Sequence, residues 1–132
     1  MRVFKTRQLD RFAKKERIAD HALWEAAKDV AAGKAEAALG RFLFKKRVAR
    51  SGEGKRSGFR TIVAFKSEDG DKLFFLYGFA KNQRSNITSK ELYGLGAIAE
   101  HYLKASQEVL QKLLHAGEIV EIREVQDNER HP

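Results

Sequence analysis

The sequence predicts a single α+β domain: a small antiparallel sheet in the middle of the chain, with helices before and after it. Three observations carry this reading. Residues 42–80 contain three runs rich in β-branched and aromatic side chains, separated by short turn signals. The stretches on either side repeat their apolar residues at helical spacing. A chain of 132 residues with a 42% apolar fraction can bury one core but is too short for two domains.

Residues 3–6 read as a short first strand, and in 8–16 the residues Leu9, Phe12 and Ala13 share one helical face. A second helix starts at Asp20, a side chain suited to an N-cap. It carries Leu23, Trp24, Ala27, Val30 and Ala31 on one side and stops at Gly33. Residues 33–40 are small and mixed and suggest no element. The run 42–50 begins apolar and turns basic, 51–58 is a turn with glycines at 52, 54 and 58, and 59–66 is the second strand. Asp69-Gly70 centres another turn before the strongest strand, 73–80, and such short connections imply a meander. Thr88 and Glu91 then have capping-box spacing. The stripe Leu92, Leu95, Ala99, Tyr102, Ser106, Val109, Leu113 holds helical period for about six turns. It predicts a long C-terminal helix, bent or in two pieces, weakened at Gly94 and Gly96 by roughly 1 kcal/mol each and ended by Gly117. Residues 118–125 can add a last strand, which makes 1–125 one domain and 126–132 a frayed tail.

Several function classes drop out on composition. The absence of cysteine removes disulfides, thiolate catalysis and cysteine-based metal sites. His21, His101, His115 and His131 have no ligand-like spacing, so no metal and no cofactor is expected. The glycines near 52–58 lack phosphate-loop spacing. No apolar run is long enough for a membrane span, and the opening MRVFKTRQLDRF lacks the apolar stretch of a secretory signal, so a cytoplasmic protein is expected.

Charge is more informative. The chain carries +8, and residues 41–90 alone hold 13 Lys/Arg against four acids, while the remainder is close to neutral. This segregation points to a polyanionic partner. Lys45, Lys46, Arg47 and Arg50 lie on one run, Lys55 and Arg56 in the glycine turn, and Arg60 opens the next strand. Alternation puts Lys45 and Arg47 on one face and Lys46 and Arg50 on the other. Unpaired charges cannot face a buried layer, so either the strand end leaves the helical layer or one sheet face is open. A guarded edge strand is the simpler alternative. Lys81 and Arg84 follow the last strand and should meet Arg60, with Asn86 close by. Phe75 and Phe79 read as core, and Tyr77 either as core or as a working hydroxyl.

The segments KKRVAR (45–50), GKRSGFRTIVAF (54–65) and FFLYGFAKNQRSNI (74–87) resemble the RelE/HigB-like toxins of the RelE/ParE superfamily. The resemblance spans residues 1 to about 103. It implies a curved antiparallel sheet with helices packed on one face and an open basic face on the other. It also implies a toxin of a type II toxin–antitoxin system: a metal-independent endoribonuclease that cuts messenger RNA on the ribosome. The cognate antitoxin would be of the helix-turn-helix, DNA-binding kind. In this reading the RNA supplies its own 2′-hydroxyl nucleophile. Arg60 contacts the scissile phosphate, Lys46 rather than Arg47 is the base, and Lys81 and Arg84 form a second phosphate clamp. Lys45, Arg47, Arg50, Lys55, Arg56 and Asn86 bind RNA. Where some relatives have a tyrosine as leaving-group acid this chain has Thr88, and Tyr77 is the substitute. Two alternatives stand beside this: a ParE-like gyrase poison, and a non-enzymatic module that binds RNA or the ribosome.

Overall fold

The structure, a computed structural model, describes residues 1–49, 58–68 and 70–124. Of the turn expected at 51–58 only Gly58 is described; residues 51–57 and the tail at 126–132 lie outside the described residues, as do Arg50 and Asp69, and with the turn Lys55 and Arg56. The elements are β1 (Arg2–Thr6), α1 (Arg7–Lys15), α2 (Asp20–Ala31), β2 (Ala37–Gly40), β3 (Leu43–Val48), β4 (Phe59–Phe65), β5 (Lys72–Ala80), α3 (Ser89–Leu103), α4 (Gln107–His115) and β6 (Ile119–Ile122). The strands form one sheet in the order β2-β3-β4-β5-β1-β6. The meander β3–β4–β5 is antiparallel, as expected. The sheet as a whole is mixed, because β1 pairs parallel to β5 while β6 lies antiparallel on β1. The first strand is thus the wall between the meander and the last strand, and β2, in a stretch of weak β signal, extends the other edge by pairing with β3.

The helices do not lie on one face. α1 and α2 cover one side, where Leu9, Ala13, Leu23, Ala27 and Val30 pack on Val48, Phe59, Val63, Phe65 and Phe75. α3 and α4 cover the other, where Ala99, Tyr102 and Leu110 pack on Phe4, Ile62, Ala64, Phe74, Leu76 and Phe79. The cause is visible in β4, FRTIVAF, every residue of which is buried. A strand apolar on both faces needs cover on both, so the fully open face that the resemblance implied is not present.

The long C-terminal helix is also divided. α3 ends at Lys104, and Ser106 caps α4 by accepting from the Val109 amide. The Ala105 carbonyl at the break accepts from Lys72 Nζ at 2.9 Å. Ser106, polar within the apolar stripe, was the mark of this break. The capping box at Thr88 and Glu91 forms as its spacing suggested. Asp20, by contrast, is the first helical residue of α2, with Ala19 at the cap position. Asp20 and Asp10 instead hold Lys5, a buried lysine on β1, at 2.8 and 2.9 Å. Burial alone would lower the Lys5 pKa, but the two carboxylates outweigh it and leave it raised.

β5 carries a bulge. Ile62 pairs with Tyr77 and Val63 with Phe75, so Leu76 has no partner on β4. Its carbonyl is satisfied by Thr6 Oγ1 at 2.8 Å, the same oxygen that caps α1 by accepting from Leu9 N. A bulge re-aims the residues beyond it. Phe75 therefore faces α1 and α2, whereas Leu76, Tyr77 and Phe79 face α3.

Just past the bulge, Gly78 lets α1 approach. A Cβ there would stand 2.6 Å from Phe12 Cδ2 and 3.0 Å from Leu9 Cδ2. Gly78→Ala should therefore destabilise the protein by about 1–3 kcal/mol through overpacking. Urea unfolding checks this, and an unchanged midpoint would show that α1 shifts away freely.

Candidate nucleic-acid interface

The register of β3 on β4 decides which cations meet. Lys46 lies opposite Thr61, and Arg47 opposite Arg60. Because side chains alternate, Lys46 points toward α2 while Lys45, Arg47 and Arg60 point toward the α3 side. Lys46 is 2% exposed, with Nζ 3.2 Å from Asp29 Oδ2, 3.6 Å from Glu36 Oε2 and 3.3 Å from the Lys34 carbonyl. Parity thus places Lys46, the residue expected as general base, under α2, sealed in an internal ion pair on the opposite face from Arg60.

Arg60 is in a different condition. It is 8% exposed, yet its Nη1 has no hydrogen-bond partner among the described residues. Burial lowers its pKa, the positive charge of Arg47 lowers it further, and Glu36 opposes them without reversing the direction. Like charges directly opposite across a sheet are destabilising. A buried guanidinium with an unused donor beside a second arginine is therefore a ready-made site for an anion, above all a phosphate.

Beyond Arg60 the site continues along β5. Arg60 pairs in register with Phe79, and the Arg84 guanidinium lies 5.7 Å from the centre of the Phe79 ring. Arg60 and Arg84 therefore converge on one face, as the sequence implied. Their chemistry differs. Arg84 Nη1 and Nη2 donate to the two Glu91 carboxylate oxygens at 3.0 and 2.6 Å, and Nε donates to the Asn86 carbonyl at 2.9 Å. Nη1 also donates to the Tyr77 hydroxyl at 3.3 Å. The fork assigned to a second phosphate clamp is occupied by a carboxylate, so Arg84 positions Tyr77 and the start of α3. Glu91, which sequence reasoning treated only as a helix cap, was the missed member. Its place three residues after a cap and seven after an arginine was the available signal.

The remaining residues are dispersed around this core. Lys45 and Arg47 are partly exposed on β3, Lys81 is exposed in the turn after β5, and Asn86 accepts from the Ile87 amide. Among the described residues no group of three or more His, Asp or Glu side chains could hold a metal ion. Among them, too, no helix is long and apolar enough to cross a membrane.

Fold and site together define a small α+β protein in which two arginines face each other on one sheet face, one of them with a donor that has no partner among the described residues, an arrangement suited to phosphate-bearing ligands. The family model described as "RelE toxin of RelE / RelB toxin-antitoxin system" matches residues 1–122, and the chain belongs to this family. It is therefore a toxin of the toxin–antitoxin type, whose family implies a cognate antitoxin as partner. Comparison with curated proteins gives no match.

Glu91 supplies a pH test of the network. Arg84, and then the Thr88 amide, hold its carboxyl at about 2 against an ordinary 4.5. A depressed folded-state pKa means stability that is present above the unfolded value and lost as pH falls through the folded one. The stability gap between wild type and Glu91→Gln should stay constant above about pH 5 and shrink between 4.5 and about 2. Thermal melts across this range measure it; a gap independent of pH would show that the carboxylate charge contributes nothing.

Proposed function

We propose that the protein is an endoribonuclease that cuts messenger RNA on the ribosome, with the RNA 2′-hydroxyl as nucleophile. The observation that carries this reading is the buried Nη1 of Arg60, without a partner among the described residues, beside Arg47. In-line attack of the 2′-oxygen on phosphorus breaks the bond to the 5′-oxygen and leaves a cyclic phosphate. The pentavalent transition state gathers negative charge, which Arg60 and Arg47 stabilise from fixed positions. Lys45, the amine on this face, takes the place first assigned to Lys46, beside the 2′-hydroxyl of the bound RNA. Tyr77 protonates the departing 5′-oxygen. Its hydroxyl accepts from Arg84, which leaves its own proton free to donate. Lys81 and Asn86 bind flanking RNA. The toxin acts in the cytoplasm and is silenced by an antitoxin of the helix-turn-helix kind.

Mapping of 5′ ends after expression tests the reading. New ends within translated messages support it. Gyrase inhibition without such ends would favour the gyrase-poison alternative, and RNA binding without cleavage the binding module.

Three substitutions separate catalysis from stability. Arg60→Met removes a donor aimed at the developing charge, so cleavage should fall by about 10²–10³. The same change removes a buried guanidinium with an unused donor among the described residues and a like charge beside it, so the fold should be unharmed or stabilised. Loss of both together would make Arg60 a structural residue. Lys45→Ala should lower cleavage with little change in melting. Lys46→Ala should cost on the order of 2 kcal/mol of stability through lost packing and pairing. Cleavage assays and urea unfolding of both variants give the comparison, and the reverse pattern would restore Lys46 to the site.

A further inference from the structure

The tip of the β2–β3 hairpin is strained, and burial does not compensate it. Gly40 pairs with Leu43 across a two-residue loop, and φ is +52° at Arg41 and +63° at Phe42. Positive φ at both central residues marks a turn that ordinarily carries Asn-Gly, because side chains with a bulky Cβ substituent resist it. Yet Phe42 is 44% exposed, so the strain does not fill a core. Strain of this kind concentrates at functional sites.

What the tip builds is a pair of exposed rings, each beside a cation. The Arg41 guanidinium lies 5.4 Å from the Tyr93 ring centre, and Lys66 Nζ lies 5.3 Å from that of Phe42. Tyr93 is 75% exposed. Arg41 is fixed in place: Nε and Nη2 donate to Glu100 Oε1 at 3.2 and 2.9 Å, and Nη1 donates to the Tyr93 carbonyl at 3.3 Å. The helix makes room for it, since a Cβ on Gly96 would stand 2.7 Å from Arg41 Nη1. A glycine that weakens α3 thereby acquires a reason.

Resting on the RNA reading above, we propose that Tyr93 and Phe42, with Arg41 and Lys66, form a stacking subsite for unpaired bases of single-stranded RNA. Exposed ring faces flanked by cations suit any base, because every base has a π-face and a phosphate beside it. From the turn, β3 leads past Lys45 to Arg47, opposite Arg60. Leu43 to Arg47 spans about 13 Å at ~3.3 Å per residue, the reach of a few nucleotides from the proposed scissile phosphate.

The test uses a fluorescent 12-nucleotide RNA with 2′-O-methyl riboses, which cannot be cut, and an abasic strand of equal length. Tyr93→Ala should weaken binding of the base-bearing strand by about five-fold or more and leave the abasic strand unaffected. Equal losses on both strands, or no loss on either, would overturn the subsite. The double variant Arg41→Asn/Phe42→Gly should melt at a higher temperature than wild type while binding the base-bearing strand more weakly. A lower melting temperature with unchanged affinity would make the turn merely structural. Binding that depends on Arg60 but not on Tyr93 would remove the subsite alone, whereas wild-type protein that binds neither strand would remove the RNA reading with it.

Discussion

Two guanidinium groups face each other across β3 and β4 because Arg47 is set opposite Arg60, and much of the molecule is arranged around that register. The same alternation sends Lys46 to the other side, where Asp29 and Glu36 wait for it. The strand pair thus sorts its positive charge. Toward α2 the cation is neutralised and sealed; toward α3 Arg47 and Arg60 stand together, and Arg60 Nη1 has no partner among the described residues. Sliding β3 by one residue would exchange the two sides. The charge now at Arg47 would then be buried against carboxylates, and the one now in the ion pair would face Arg60. Fixing this register is accordingly worth more to function than any single contact.

The site is held by elements that are ordinary away from it. Glu91 is a helix-capping side chain, but the carboxylate that closes the capping box also grips Arg84, and Arg84 reaches the Tyr77 hydroxyl. The start of α3, the end of β5 and a candidate acid therefore move as one unit. The bulge at Leu76 is the second device. Without it, strict alternation would put Tyr77 on the face of Phe75, against α1; with it, Tyr77 joins Phe79 and Arg60. Thr6 supports the bulge from β1 and caps α1 with the same hydroxyl, so one small side chain ties the first strand, the first helix and the aim of Tyr77 together.

Much of this was legible in the sequence, and the reasons for the rest are physical. The meander, the caps at Thr88 and Gly33 and the segregation of basic residues follow from local patterns that tertiary structure did not override. The choice of face did not follow. β4 is apolar on both sides, and such a strand does not say which neighbours cover it. Lys46 and Arg47 look equivalent until the register assigns each a side, and Tyr77 cannot be placed without the bulge. β2, only Ala, Leu and Gly, has no strand signal of its own and exists because β3 offers it an edge. Glu91 fell just outside the basic segment, so its bond to Arg84 was invisible to charge counting.

Why the buried cation is an arginine and the sealed one a lysine follows from their proton affinities. Burial and a neighbouring positive charge both push the Arg60 pKa down. A guanidinium starts so high that it stays charged at neutral pH even after such a shift, while an ammonium has far less to spare. An amine in the place of Arg60 would be the first group to give up its proton, and with it the attraction for phosphate. Lys46 stands in a different setting, with two carboxylates beside its charge. The guanidinium also offers its donors in a rigid plane, so a phosphate met at Arg60 finds an orientation as well as a charge. Charge that must persist beside a second cation, in a fixed direction, at a partly dehydrated position is a specification that arginine meets and lysine does not.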